Sequence, residues 1–215
     1  MLRERGEWNH NIHYHDFVLG LVPEGCGRAL EVGCGTGLLA RKLAARCAEI
    51  VAFDVDREAL GRARQMDTPE SRVSFVEGDV MAHGFPENSF DLISAVATLH
   101  HLPLLDALAR FRDLLKPGGV LAVVGLYRLH GFVDYSWAAV AMPASRILKM
   151  VHGDHDAGAP LHEPAETLSE IRTACEAVLP GFVLQRRLLF RYSMTWQKPL
   201  TSAYPSGAPL RSRSI

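Results

Sequence analysis

Two hydrophobic rhythms alternate along the chain from residue 28 onward. Residues 28–33 (R-A-L-E-V-G) are a short apolar run closed by glycine, which predicts a buried strand. In residues 38–47, Leu39 and Leu43 stand one helical turn apart, with Arg41, Lys42 and Arg46 mostly elsewhere, as in an amphipathic helix. The same alternation predicts a strand at 50–53, a helix at 57–66, and strands at 73–76 and 90–96. Leu104, Leu108, Phe111 and Leu115 then recur at helical spacing, and Lys116-Pro117-Gly118-Gly119 supplies a cation and breakers to end that helix. A fifth strand follows at 120–125. These strands are apolar nearly throughout, the mark of strands covered on both faces. The pattern predicts an α/β fold, a doubly wound and mostly parallel sheet.

The rhythm breaks after residue 126. Residues 135–151 form an apolar helical block, predicted to kink or split at Pro143. A loop rich in Gly, His, Asp and Pro follows at 153–164. A further helix is predicted at 164–178, with Leu168, Ile171, Cys175 and Val178 on one face. Residues 182–196 read as two antiparallel strands, although no Gly or Asn marks the turn between them. Residues 199–215 read as a flexible tail. The expected architecture is therefore about seven strands, the last antiparallel, with a helical insertion after strand 5. The expected division is one domain over 1–198: an N-terminal lid segment (1–27), a core (28–126), the insertion (127–163), and a final helix and strands (164–198).

A chain of 215 residues suits one domain. Its 23 basic and 24 acidic residues leave a net charge of -1, so it lacks the basic footprint of a nucleic-acid binder. Local clusters remain at Arg186, Arg187 and Arg191, and at Arg211 and Arg213. Cys26, Cys34, Cys47 and Cys175 form no C-x-x-C pair, so reduced thiols in a cytoplasmic protein are expected. Residues 1–10 lack the apolar core of a signal peptide. The longest apolar stretch is interrupted by Pro143, Arg146 and Lys149, and is too short to span a bilayer.

The chemistry concentrates in E-V-G-C-G-T-G, Glu31 to Gly37, between the first strand and the first helix. A loop at the carboxyl end of a parallel strand opens into the crevice where such sheets bind ligands. Gly33, Gly35 and Gly37 are spaced G-x-G-x-G, not the G-x-G-x-x-G that places a dinucleotide pyrophosphate. Asp54 ends the second strand about twenty residues beyond Gly33, where an acidic side chain can accept hydrogen bonds from ribose hydroxyls. Asp56 suits a helix N-cap.

The run E-V-G-C-G-T-G closely resembles the first motif of class I S-adenosylmethionine-dependent methyltransferases, and V-A-F-D-V-D, G-D-V, F-P-E-N-S-F-D-L-I and L-K-P-G-G resemble the later ones, in order. The resemblance covers residues 28–126. It implies a cofactor, S-adenosylmethionine, leaving as S-adenosylhomocysteine. It implies that Gly33, Cys34, Gly35 and Gly37 face the methionine part and the sugar. Glu31 would bind the methionine end, directly or through water. Asp54 would accept from the ribose hydroxyls, and Val55 beside it would belong to the cofactor site. Asp79 would accept from the adenine amino group, with Val80 and Met81 flanking the ring. The fourth strand ends over the sulfonium, which places Ala95 there, while Asp91 is expected to be structural. No N-P-P-Y or D-P-P-Y follows that strand, which argues against nucleobase amino groups as the target.

Methyl transfer from a sulfonium is an in-line displacement in which alignment and desolvation matter most. A hydroxyl nucleophile also gains from a base near neutral pH. His101 or His100, at the end of the fourth strand, is the candidate. Adjacent strand residues point opposite ways, so at most one should face the pocket. The alternative is a histidine pair that stabilises a loop.

The opening N-H-N-I-H-Y-H, with the ending R-Y-S-M-T-W-Q-K-P, is similar to a group of small, mostly bacterial, UbiE-like methyltransferases. That similarity implies contacts of Asn11, His13 and Tyr14 with cofactor or substrate. His10, His13 and His15 have no carboxylate or cysteine at ligand spacing, so no metal is expected. Phe132, Tyr135, Trp137 and Met142 would suit the wall of an apolar or aromatic acceptor site, or a dimer contact. The expected function is methylation of a small-molecule acceptor by a monomer or homodimer, with no nucleic-acid partner and no membrane span. The competing readings are a non-catalytic cofactor-binding scaffold, a methyltransferase of a macromolecule, and a nicotinamide enzyme, the last disfavoured by the glycine spacing.

Overall fold

The computed structural model describes residues 9–68, 71–152 and 163–200. The expected tail beyond Leu200, most of the expected loop at 153–164, and the first eight positions of the lid segment lie outside the described residues.

The strands are β1 (Arg28–Val32), β2 (Glu49–Asp54), β3 (Val73–Glu77), β4 (Phe90–Val96), β5 (Leu115–Leu126), β6 (Val183–Arg187) and β7 (Arg191–Gln197). The helices are α1 (His15–Leu19), α2 (Leu38–Leu43), α3 (Arg57–Gln65), α4 (Leu104–Leu114), α5 (Gly131–His152) and α6 (Leu168–Val178). They build one seven-stranded sheet in the order β3-β2-β1-β4-β5-β7-β6. The first five strands run parallel, and β7 is antiparallel to both β5 and β6. The chain winds outward through β1, β2 and β3, then crosses back to β4, so the order reverses between β1 and β4. That reversal leaves an open crevice at the carboxyl ends of the two strands.

Successive strand residues feed opposite layers. Leu30 and Val32 of β1 pack with α4 and α6 through Leu108, Phe111, Ile171 and Cys175. Ala29 packs on the other face with Val18, Leu39, Leu43 and Leu60. Glu31 shares the parity of Ala29 and is 4% exposed, a carboxylate inside the α2 layer. Asp91 is structural as expected: its Oδ2 accepts from the Gly27 and Arg28 amides and from Lys116 Nζ.

Three local departures have physical causes. Lys116 to Gly119 do not separate α4 from the next strand. Phe90 pairs with Leu115 and Leu92 with Val120, so the residues between bulge from the ladder. Reciprocal bonds tie that bulge to β7: Gly118 N donates to Lys198 O (2.8 Å), and Lys198 N donates to Gly119 O (2.9 Å). Helix α6 starts at Leu168, not at 164, because Thr167 and Glu170 cap each other's backbone in a capping box. Helix α5 is not split: it runs over 22 residues with Pro143 inside it. The β6–β7 turn uses Leu189 (φ 61°) and Phe190 (φ 59°) where glycine or asparagine is usual. Leu189 is fully buried beside Tyr14 and Val18, and that packing offsets the backbone strain.

Candidate functional site

The glycine loop is pinned to the end of β2. The amides of Gly33 (2.7 Å) and Cys34 (3.1 Å) both donate to the carbonyl of Phe53. Asp54, the next residue, receives the Gly35 amide on Oδ2 (2.7 Å) and the Asp56 amide on Oδ1 (2.9 Å). One carboxylate thereby holds the loop after β1 against the turn after β2. Each of its oxygens keeps a further lone pair for a ligand. Asp56 caps α3 through the amides of Glu58 and Ala59. Gly37 caps α2, and its amide closes the loop on Cys34 O (2.8 Å).

Gly33 and Gly35 have different reasons to be glycine. Both are left-handed, at φ 73° and 52°. A Cβ on Gly33 would stand 2.8 Å from Thr98 Cβ, so the loop after β1 touches the chain leaving β4. A Cβ on Gly35 would meet nothing within 4 Å. It faces open space, where a ligand can reach the backbone. Beyond β4, Ala97 also adopts a left-handed backbone (φ 54°) while its amide donates to Val124 O (2.7 Å). A strained residue at the switch point fits a site rather than a passive turn.

Glu31 sits beneath this loop. Burial pushes its carboxyl well above the usual range, and the Asp54 charge adds to that. Its Oε2 is buried with no hydrogen-bond partner. A buried carboxylate oxygen left unpaired costs on the order of 1–3 kcal/mol or more, so it is a ready acceptor for a ligand ammonium. At the end of β2, Val55 is 73% exposed, an apolar side chain beside the Asp54 carboxylate. Gly78 N donates to Asp54 O (2.9 Å), which brings the turn after β3 alongside. There Asp79 is exposed and holds the Met81 amide on Oδ1 (2.8 Å), while Val80 is buried. Ala95 is fully buried in β4, and Cys34 is buried, which pushes its thiol up. The structure thus brings Glu31, the loop glycines, Asp54, Val55, Asp79 and Val80 to one edge of the sheet, as an open rim.

His100 and His101 are not on a strand. They lie on a 3-10 turn, Leu99–His101, with ring centroids 4.0 Å apart, so they sit side by side rather than on opposite faces. His101 is exposed. His100 is half-buried beside a small void lined by Leu99, Leu104, Glu166 and Tyr192.

The N-terminal segment folds onto the β6–β7 hairpin. Asn9 Oδ1 accepts from the amides of Asn11 and Ile12 (both 2.9 Å), which starts the turn. Tyr14 donates its hydroxyl to Leu188 O (2.5 Å), and burial pushes its pKa up to about 12. Asn11 Oδ1 accepts from Arg191 Nη2 (3.0 Å). His13 is exposed, with its ring edge-on to Tyr14. His15 is buried 3.4 Å from Lys42 Nζ, and burial pushes its pKa down to about 4, so it is neutral at pH 7. His10 reaches across to Ser145 of α5 (2.9 Å). The inner side of α5 carries Asp134, which receives Arg186 (2.7 Å), together with Ala141 and Ser145. Phe132, Tyr135, Trp137 and Met142 are on its exposed side. Among the described residues, no His, Cys, Asp and Glu cluster could hold a metal ion, and no helix is long and apolar enough to cross a membrane.

Nothing in the sequence marks Ala97 or Thr98, while Arg191 is signalled only by its place in the Arg186, Arg187 and Arg191 cluster and in R-Y-S-M-T-W.

A rim of this kind occurs on many α/β sheets. An uncharacterized methyltransferase of Mycobacterium bovis is 37% identical over 204 residues, covering 90% of this chain and 98% of that protein. The chain belongs to the class I S-adenosylmethionine-dependent methyltransferase family. A family model described as a methyltransferase domain matches residues 30–123 of this methyltransferase, the stretch that carries the rim. A ubiquinone biosynthesis O-methyltransferase of Vibrio cholerae is 31% identical over 134 residues, covering 60% of this chain and 53% of its own. Among solved structures, the N-methyltransferase NodS of Bradyrhizobium japonicum, in complex with S-adenosylhomocysteine, shares the methyltransferase fold at a TM-score of 0.60 and 23% identity, covering 89% of each chain.

Proposed function

We propose that this methyltransferase takes its methyl group from S-adenosylmethionine and delivers it to a small-molecule acceptor. The observation that carries the reading is the unpaired, buried Oε2 of Glu31 beneath a loop whose Gly35 faces open space. The residues present fit the cofactor. Glu31 would take the ammonium of the methionine end, and the backbone at Gly33, Cys34, Gly35 and Gly37 would lie along the chain and sugar. Asp54 would accept from the ribose hydroxyls with its remaining lone pairs. Val55 and Val80 would sandwich the adenine, with Asp79 at its amino group. Asn11, His13 and Tyr14 would close over the site from the N-terminal side. When bound, S-adenosylmethionine supplies a methyl group on a good sulfonium leaving group.

The chain's own contribution is positioning and desolvation. Ala95 gives a nonpolar floor at the end of β4. His101, the exposed member of the pair, takes a proton from an acceptor hydroxyl or orients it by hydrogen bonding, while His100 anchors the turn. The similarity to a ubiquinone biosynthesis O-methyltransferase supports a small molecule as acceptor without choosing its atom.

Calorimetry of the purified chain with S-adenosylhomocysteine and with NAD tests the donor. Binding of the first and not the second is expected, and failure to bind the first overturns the proposal. A labelled methyl donor, followed across a panel of hydroxyl, amine and carbon acceptors, then tests transfer.

A further inference from the structure

Strand β7 opens with Arg191, opposite Leu126 at the end of β5. Because β5 runs parallel to β1 and β4, Arg191 stands on the same carboxyl edge as the glycine loop, about two strand spacings (roughly 10 Å) from β4. Tyr192 and Met194 of the same strand belong to the α4–α6 layer. Arg191 and Ser193 have the opposite parity and face the N-terminal segment, where Asn11 meets Arg191.

Arg191 is 9% exposed, and among the described residues no carboxylate lies within ion-pair distance of it. Its two acceptors among the described residues are neutral, Leu189 O (3.3 Å) and Asn11 Oδ1 (3.0 Å), and its Nε–H is buried with no partner. Burial pushes its pKa down to about 10. Arg187 stands close by, stacked over Phe17 and bonded to the Ser193 hydroxyl, and has no carboxylate partner among the described residues either. Arg186, by contrast, has Asp134. Two neutral oxygens do not need a guanidinium, since an uncharged amide could serve them. A buried cation without an anion is costly, and a guanidinium fork matches a carboxylate.

We propose that Arg191, framed by Asn11 and Tyr14, holds a carboxylate of a bound ligand at the carboxyl edge of the sheet. The proposal rests on the donor reading above. The carboxylate comes from one of two sources: the methionine end of the cofactor, or an acid group on the acceptor. Tyr14 keeps its proton and bonds Leu188 O, so it shapes the corner without competing for the anion. The Nε–H supplies the free donor.

The test compares the full chain with Arg191→Gln, and with Arg191→Lys should the first not fold. The probes are S-adenosylhomocysteine, its decarboxylated analogue, and benzoate with and without S-adenosylhomocysteine. If the cofactor supplies the carboxylate, the substitution weakens S-adenosylhomocysteine by about tenfold or more and leaves the decarboxylated analogue unchanged. If the acceptor supplies it, S-adenosylhomocysteine binds both chains alike, and benzoate binding is lost only in the variant. Arg191→Gln should melt no lower than the natural chain, because it removes an uncompensated buried charge and keeps an amide for the two neutral oxygens. The proposal is overturned if a folded variant binds S-adenosylhomocysteine and benzoate as the natural chain does, or if Arg191→Gln only lowers the melting temperature. A natural chain that ignores S-adenosylhomocysteine overturns the donor reading instead, and the benzoate titration alone then decides this one.

Discussion

Replacing Gly33 and Gly35 separately by alanine separates packing from ligand access within one loop. Both residues are left-handed, so either alanine pays a backbone penalty of about 1–2 kcal/mol. Only at Gly33 does the new methyl group collide, 2.6 Å from Thr98 Cγ2 and 2.8 Å from its Cβ. Rotating the threonine moves the first atom but not the second, so backbone must shift, at a further cost of about 1–3 kcal/mol. Gly33→Ala should therefore cost about 2–5 kcal/mol, and Gly35→Ala about 1–2. For a domain of this size each kcal/mol lowers the melting temperature by roughly 2–4 °C. Urea denaturation of the two variants, with Thr98→Ala alone and combined with Gly33→Ala, measures the difference. The double variant should recover part of the loss, since the outer threonine atoms are gone. Calorimetry with S-adenosylhomocysteine should show the reverse order: Gly35→Ala, whose methyl group enters the open side, loses binding while staying folded. Equal stability costs for the two alanines, or no coupling to Thr98, would refute the reasoning.

Three further outcomes follow from the same geometry. Because Glu31 in the folded, ligand-free protein has its pKa raised above the ordinary 4.5, the folded state holds the extra proton. Stability should fall as pH rises from that value through the folded pKa, and Glu31→Gln should flatten the slope in a denaturation series run upward from pH 4.5. Asp54→Asn turns an amide donor toward either the Gly35 or the Asp56 N–H, which should cost about 1–3 kcal/mol and weaken S-adenosylhomocysteine about tenfold or more by calorimetry; unchanged affinity would remove Asp54 from the ribose role. Asp134→Ala leaves the Arg186 guanidinium, 34% exposed, without its carboxylate. A cost of about 1–3 kcal/mol is expected, with faster hydrogen exchange across α5; unchanged protection there would mean that the ion pair does not hold the helix.

What could be read from the sequence was what depends on local pattern. The apolar runs of β1, β2 and β4 and the spacing of Leu104, Leu108 and Phe111 are set by burial on a regular element, and burial leaves a periodic trace. The glycine spacing and the acidic residue ending β2 were legible for the same reason: they meet a backbone requirement. The misses come from tertiary packing. Lys116-Pro117-Gly118-Gly119 has the composition of a terminator, yet its bonds to Lys198, far along the chain, keep it against β4 and β7. Leu189 and Phe190 carry no turn signal because their left-handed geometry is imposed by the burial of Leu189. The pairing of Asn11 and Tyr14 with the hairpin spans more than 170 positions and has no local signature. His100 and His101 follow β4, but the turn that sets their rings side by side leaves no local pattern.

That long-range pairing has a consequence for how the molecule comes into being. Ribosomes deliver Asn11 and Tyr14 first, while their partners Leu188 and Arg191 arrive near the end of synthesis. The nascent chain can assemble β1 through β5 and their helices with its leading segment undocked. Only when the final hairpin emerges can the first and last parts of the chain meet and the corner close. A protein released prematurely, before residue 188, would carry the motif region at 30–123 and still lack that closure.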